Sequence, residues 1–215
     1  MDSKPNLPVA KRPGIFKRLF AYEMSTTDAR SEEYYGPRKR ALLGNLHGTV
    51  LEIGPGTGPN LPYYAKDVTW IGIEPNPAMF PYLQKEAARL GLKVDLRDGQ
   101  AEHLNAADNS VDAVVSTLVM CSVRDQAQVL KEVLRVLKPG GRFVFIEHVA
   151  APAHTGRRRW QRIIRPAWQT FADGCQPDRE TWRNIERAGF SSVQLEHFHI
   201  PVPVIGPHIA GVAIK

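Results

Sequence analysis

The sequence predicts an α/β fold: a seven-stranded, mostly parallel, doubly wound sheet that ends in an antiparallel hairpin. Three observations predict it. From residue 49 onward, short β-favouring runs alternate with helical stretches, and such βα repeats imply a parallel sheet with helices on both faces. A glycine-rich turn, Gly54-Pro55-Gly56-Thr57-Gly58, directly follows the first of those runs. The last two runs have no helix between them, so they are expected to pair antiparallel at a sheet edge.

Size and composition bound this reading. The chain has 215 residues, 43% of them hydrophobic and 23% charged, the profile of one soluble domain rather than a disordered chain. No apolar run approaches the roughly eighteen residues of a membrane-spanning helix. The opening Met1-Asp2-Ser3-Lys4-Pro5 lacks the apolar core of a secretory signal. Two cysteines, Cys121 and Cys175, cannot build a disulfide framework, and no Cys/His group has zinc-ligand spacing, so no metal is expected. A reducing, cytoplasmic compartment is the default.

The elements follow in order. Residues 1–13 carry Pro5, Pro8 and Pro13 among polar residues and read as a disordered basic tail. Gly14 to Met24 has apolar residues at helical spacing, and Ser31 to Leu46 forms a second helical stretch with Tyr34, Tyr35, Leu42 and Leu43. Strand-like runs then occupy 49–53, 69–73, 93–97, 111–116 and 142–147. The glycine turn is expected to open a first helix, and the clearest helices lie at 78–90 and 126–137. Leu90-Gly91 and Leu137-Lys138-Pro139-Gly140-Gly141 supply helix stops. A helix at 179–188 precedes the final strands, 193–200 and 209–214. Residues 150–176 are read as the largest irregular insertion.

Charge is unevenly placed. Residues 1–20 carry +4 and residues 150–165 carry +5, against +6 for the whole chain, so the remainder stands at −3. Two short basic segments on a mildly acidic body suit a local anionic partner, or are simply solvated arginines.

Three segments carry chemistry. The glycine turn sits where a strand ends, and there glycine lets the backbone approach a ligand closely. Its spacing is G-x-G-x-G, preceded by Glu52, and Pro59 stands where a dinucleotide fingerprint has its third glycine. Glu74 ends the second run, where a carboxylate can accept both hydroxyl hydrogens of a ribose. After the third run, the Gln100 amide oxygen can accept from an adenine amino group while the Ala101 N–H donates to a ring nitrogen. Together they describe a nucleoside pocket at the carboxyl ends of adjacent strands.

From about residue 49 to the end, the sequence resembles class I S-adenosylmethionine-dependent methyltransferases, a Rossmann-like family. The match rests on E-x-G-x-G-x-G from Glu52, the acid Glu74, the Gly99-Gln100-Ala101-Glu102 segment and the Leu137–Gly141 loop. Downstream segments resemble the mammalian alkyl thiol methyltransferases: residues 116–123, Ile146-Glu147-His148-Val149, Pro166-Ala167-Trp168, Asp173-Gly174-Cys175 with Arg179–Trp182, and Pro207–Gly211. The resemblance implies a domain over 49–215, helices at 14–48 covering the cofactor, and a substrate-side insertion at 150–176. It implies S-adenosyl-L-methionine as cofactor and S-adenosyl-L-homocysteine as product. Gly54, Pro55 and Gly56 would line the methionine part, with Glu52 on its amino group directly or through water and Asn60 and Thr117 near the same end. Glu74 would hold the ribose, Pro75 would pack on the adenine, and Gln100 and Ala101 would read its edge. Those relatives carry a hydrophobic N-terminal anchor that has no counterpart in this sequence, so peripheral membrane contact is the most that is expected.

The acceptor implied is a small molecule, first a thiol. A thiol must lose its proton, because the thiolate is the nucleophile. His148, at the end of the fifth strand, is placed to take it, and Asp173 to orient or polarise that base. Cys121 and Cys175 read as buried packing residues. Tyr34 or Tyr35 either covers the sulfonium or packs its helix on the sheet. Arg157–Arg165, interleaved with Trp160, Ile163 and Ile164, reads as an amphipathic basic helix suited to a membrane surface. That segment keeps open an alternative, methylation of a phospholipid headgroup or another N/O acceptor at a membrane. A non-catalytic adenosyl-binding protein is the alternative of a different class. RNA is disfavoured, with no RNA-binding module and few stacking aromatics.

Overall fold

The computed structural model describes residues 14–26 and 28–215, of residues 28–31 the backbone alone. The tail expected over 1–13 lies outside the described residues. The strands are β1 (Thr49–Ile53), β2 (Thr69–Glu74), β3 (Val94–Asp98), β4 (Val111–Thr117), β5 (Leu137–His148), β6 (Ser192–His199) and β7 (Pro207–Ile214). They form one sheet in the order β3-β2-β1-β4-β5-β7-β6. All pairs through β5 are parallel, and β7 pairs antiparallel with both β5 and β6. The expected sheet and terminal hairpin are both present.

The helices are α1 (Ile15–Thr26), α2 (Asp28–Leu43), α3 (Phe80–Leu90), α4 (Gln126–Val136), α5 (Gly156–Phe171) and α6 (Thr181–Arg187). Helix α4 starts at Asp125, whose carboxylate accepts from the N–H groups of Ala127 and Gln128. It buries Val129, Leu130, Val133 and Val136 on one stripe. Helix α3 ends at Gly91, whose φ of 68° suits a left-handed cap. Strand β4 reads Val-Asp-Ala-Val-Val-Ser-Thr because both its faces are covered. Val111 and Val114 pack into the cluster with α4, Phe143 and Phe145; Ala113 and Val115 pack into the one with Trp70 and Leu83.

Three local expectations need correction. The glycine turn opens only a short 3₁₀ turn, Leu61–Tyr63, not a helix, since Pro59 and Pro62 remove N–H donors that a longer helix needs. Leu137–Gly141 is not a loop but the start of β5. Pro139 forces Lys138 out of the helical region, so the chain passes directly into the strand. The register between Val111↔Leu137 and Ala113↔Arg142 shifts there. The insertion 150–176 is mostly helical, because it contains the sixteen residues of α5.

Strand order reverses around β1, which lies between β2 and β4. In open α/β sheets a ligand crevice forms at that point, outside the carboxyl ends of the strands. The first groups beyond those ends are therefore the glycine turn, Glu74, Gln100 and Thr117, with His148 one strand further along.

Candidate active site

The turn after β1 is held down by a hydrogen bond from the Gly54 N–H to the Ile73 carbonyl at 2.8 Å. Gly54 and Gly56 have φ of 60° and 56°, which side-chain-bearing residues rarely adopt. Their surroundings differ. A Cβ at Gly54 would come within 2.7 Å of Val119, whereas a Cβ at Gly56 meets nothing within 4 Å. The turn is therefore packed from below at Gly54 and open at Gly56.

Glu74, at the end of β2, accepts from the Gly56 N–H at 3.0 Å and from the Asn76 N–H at 2.8 Å. Burial pushes its carboxyl up to about 7, against the pull of those two amides. Glu52 lies inside the fold beneath the turn. Its oxygens accept from Asn60 Nδ2 (2.8 Å), the Tyr64 hydroxyl (2.8 Å) and the Trp70 indole (3.0 Å). Burial raises its carboxyl, and the three donors oppose that. The Asn60 amide also donates to Thr117 Oγ1 at 3.0 Å, which leaves its own buried Oδ1 without a partner among the described residues. Glu52 thus orients Asn60, and Asn60 presents an acceptor beside Thr117.

The other half of the site surrounds the loop after β4. Glu147 is fully buried and accepts from Ser116 Oγ (2.6 Å) and from the N–H groups of Val119 and Met120. Burial pushes its carboxyl up to about 7 even so. Arg179 closes the same loop by donating to the carbonyls of Met120 and Val123. Leu118 within it takes φ 59°, a strained conformation for a branched residue that this over-determined loop can hold.

Beside the loop, His148 Nε2 lies 3.1 Å from Cys175 Sγ. The Trp168 indole N–H donates to that same sulfur at 3.1 Å. Cys121 completes the group: its sulfur, that of Cys175 and a His148 ring nitrogen all lie within 4.8 Å of one another, and all three residues are buried. The Gln176 N–H donates to the Cys121 carbonyl at 3.0 Å and so ties the two cysteine loops together. The neighbouring Cys121 thiol, then His148 and Trp168, lower the Cys175 thiol against the effect of burial. That sulfur can accept from His148 Nε2 as well as from the Trp168 indole. His148 Nδ1 is buried with no partner among the described residues.

A family model described as a methyltransferase domain matches residues 51–145. A thiol S-methyltransferase of Homo sapiens is 39% identical over 215 residues, covering 94% of this chain and 88% of the relative. The chain belongs to the class I S-adenosylmethionine-dependent methyltransferase family. A rat thiol S-methyltransferase is 40% identical over 221 residues, with the same shares covered. A phosphatidylethanolamine N-methyltransferase of Cereibacter sphaeroides is 33% identical over 139 residues, 63% of this chain and 66% of that one. Among solved structures, the YcgJ protein of Bacillus subtilis superimposes with a TM-score of 0.68 at 17% identity, covering 86% of this chain and 98% of that one. A methyltransferase of Aquifex aeolicus gives 0.60 at 19%, covering 90% and 97%. These two likenesses concern the fold.

The residues of this methyltransferase fit its cofactor. They include the open face of Gly56, the Glu74 carboxylate that its N–H reaches, and Asn60 Oδ1, unpartnered among the described residues. Of the residues singled out from sequence, hydrogen bonds join Gly56 to Glu74, and Asn60 to Glu52 and Thr117. Pro75 is exposed, its carbonyl accepting from Lys17 of α1 at 3.4 Å, and Asn76 Nδ2 donates back to the Lys17 carbonyl. Ala101 is buried and Gln100 exposed. No hydrogen bond joins Asp173 to His148 among the described residues; its charge instead raises Glu74. Tyr35 packs α2 on the sheet, its hydroxyl 2.9 Å from His208 Nε2.

Sequence reasoning missed Glu147 and the meeting of His148 with the two cysteines. It also missed Lys39, a buried cation of α2 that donates to the Pro59 carbonyl at 3.2 Å, next to the glycine turn. Glu147 had one signal, an acid inside the apolar run of β5. For the others only distant positions in the chain were to be seen.

Proposed function

We propose that this methyltransferase transfers a methyl group to a small-molecule thiol, and that His148 Nδ1 receives the thiol proton. The observation that carries the reading is the fixed ring of His148. With Nε2 engaged by Cys175 Sγ, Nδ1 is the nitrogen without a partner among the described residues, and in the tautomer protonated at Nε2 it is the basic one. The relatives at 39–41% identity that act on thiols support the acceptor class.

S-adenosylmethionine, when bound, supplies a methyl group on a sulfonium. The chain's own residues supply alignment, a dry site and a place for the proton. Gly54, Pro55, Gly56, Asn60 and Thr117 hold the methionine end, and Glu52 acts on it through Asn60. Glu74 holds the ribose, Pro75 packs on the adenine, and Gln100 and Ala101 meet its edge. Helices α1 and α2 cover the cofactor, and Lys17 beside Pro75 supports that placement. The turn at Asp173 and Gly174 is a positioning element that sets Cys175 against His148. The α5 insertion forms the acceptor side.

A labelled-methyl assay over alkyl thiols, sulfide, phenols, phosphatidylethanolamine and RNA tests this. Alkyl thiols should turn over, and phenols and RNA should not. A second reading, headgroup methylation at a membrane surface, has its own support. Trp160, Ile163 and Phe171 of α5 are 62%, 59% and 81% exposed among arginines, and Ile15 and Phe16 of α1 are 77% and 81% exposed. No helix among the described residues is long and apolar enough to cross a membrane, so such contact would be peripheral. Turnover of phosphatidylethanolamine in liposomes with inert thiols would replace the first reading by the second.

A further inference from the structure

We propose that Cys121 Sγ, Cys175 Sγ and His148 Nε2 form a site for one zinc-like divalent ion, and that the loaded form loses thiol transfer. The second half rests on the proposed role of His148 as base; the first half does not.

The donor set is of the kind that soft and borderline ions select. Two cysteines and one histidine, with a fourth position left to water or a small ligand, make a recognised tetrahedral zinc arrangement. At zinc distances such a site needs sulfurs about 3.8 Å apart and each sulfur about 3.6 Å from the nitrogen. Here all three donor atoms fall within 4.8 Å of one another, and Nε2 lies 3.1 Å from Cys175 Sγ. Opening that contact by roughly 0.5 Å reaches tetrahedral spacing.

The surroundings hold the donors in place. Cys121 is carried by the loop that Glu147 and Arg179 fasten at Met120. Cys175 is fixed by its own N–H on the Ala172 carbonyl and by the Gln176–Cys121 bond. The Trp168 indole N–H reaches Cys175 Sγ, the outer-shell contact that orients a metal-bound thiolate. Val123 and Val149, both buried, lie next to the ligands in the chain and belong to the main apolar core.

Occupation has a chemical consequence. An ion on Nε2 takes the lone pair of that nitrogen, so a neutral imidazole must then carry its proton on Nδ1. The nitrogen proposed to accept the thiol proton becomes a donor. Thiol protons displaced from the cysteines pass to solvent.

Cobalt(II) is the probe. The full-length protein, reduced and freed of metal by chelator, is titrated with cobalt and then with zinc. One cobalt per chain should bind with a thiolate-to-cobalt charge-transfer band and the visible bands of a tetrahedral site, and one zinc should displace it. Cys175→Ser and Cys121→Ala should each weaken cobalt by at least ~100-fold, with cofactor binding used to verify the fold of each variant. Thiol methylation should fall in step with zinc occupancy and return on chelation. No charge-transfer band in the reduced protein, or a band unchanged in both variants, overturns the site. Zinc bound with methylation unaltered overturns its consequence. Metal-free protein that methylates no thiol sinks the thiol reading instead, and leaves the cobalt spectrum to decide the site.

Discussion

His148 Nε2 and Cys175 Sγ stand 3.1 Å apart although 27 positions separate them in sequence, one at the end of β5 and the other just after α5. This one contact engages Nε2 and leaves Nδ1 without a partner among the described residues. It also joins the last residue of a central strand to the segment that would shape the acceptor side. A ring so held needs no reorientation when an acceptor arrives.

Replacing His148 by Ala should therefore slow transfer to thiols by about 10²–10⁴-fold. The loss should be greatest for alkyl thiols of high pKa and smallest for thiols already ionised at the assay pH. Plotting log kcat/KM against thiol pKa for wild type and variant checks this. Parallel lines would mean that His148 does not handle the proton.

Glu74 should govern cofactor affinity and its pH dependence. In the free protein its carboxyl stands at about 7 because it is buried, and the ionised form is the one that can accept two ribose hydroxyls. Affinity should fall as pH is lowered through 7, with up to one proton released on binding. Calorimetry in buffers of different ionisation enthalpy measures that proton. Glu74→Ala should bind more than tenfold more weakly, the equivalent of about 1.4 kcal/mol or more.

Glu147 should leave a signature in stability. Its folded value of about 7 lies above its ordinary 4.5, so the native state holds the proton more tightly than the unfolded chain. The stability this contributes is complete below about 4.5 and is lost as pH rises to about 7. Glu147→Gln, which cannot ionise, should remove up to one proton from the pH slope of unfolding in that window. It should also cost about 1–3 kcal/mol, since an amide NH₂ replaces one of the oxygens that accept from the loop. Denaturant titrations of both proteins from pH 4.5 to 7.5 measure the two effects.

Helix α5 should bind anionic vesicles and release them in salt. Trp160→Ala with Ile163→Ala should reduce sedimentation with phosphatidylserine-containing vesicles. Equal binding to neutral vesicles, or no difference between variant and wild type, would count against a membrane-facing role.

The residues proposed to hold the cofactor were legible in the sequence because their signals are local. Gly54 to Gly58 and Glu74 each sit at a strand end, and periodicity finds strand ends well. The meeting of Cys121, His148 and Cys175 was not, because its members come from a strand end and two separate loops. Spacing along the chain says nothing about loops that meet only after the sheet is built. The start of β5 was misread because Pro139-Gly140-Gly141 has the composition of a turn, yet here it is accommodated at a register shift inside a strand. Helix α5 was legible as an amphipathic segment from Arg157 to Arg165, and its extension through Pro166 to Phe171 was not.

Strand β7 comes after every other strand of the sheet in sequence, yet it belongs to the interior of the sheet, between β5 and β6. During translation β5 is therefore an open edge presenting Phe143, Val144, Phe145 and Ile146, the kind of edge that recruits other chains. Strands β1 to β5 can pair while the chain is still growing; β6 must wait for β7 before it has a neighbour. Lys215, just after β7, then locks in place, donating through its backbone to Gly141 and through its side chain to Asn109 and Leu137. A nascent chain stopped at Gly206 should accordingly aggregate or engage chaperones, while release of the remaining residues should let the sheet close.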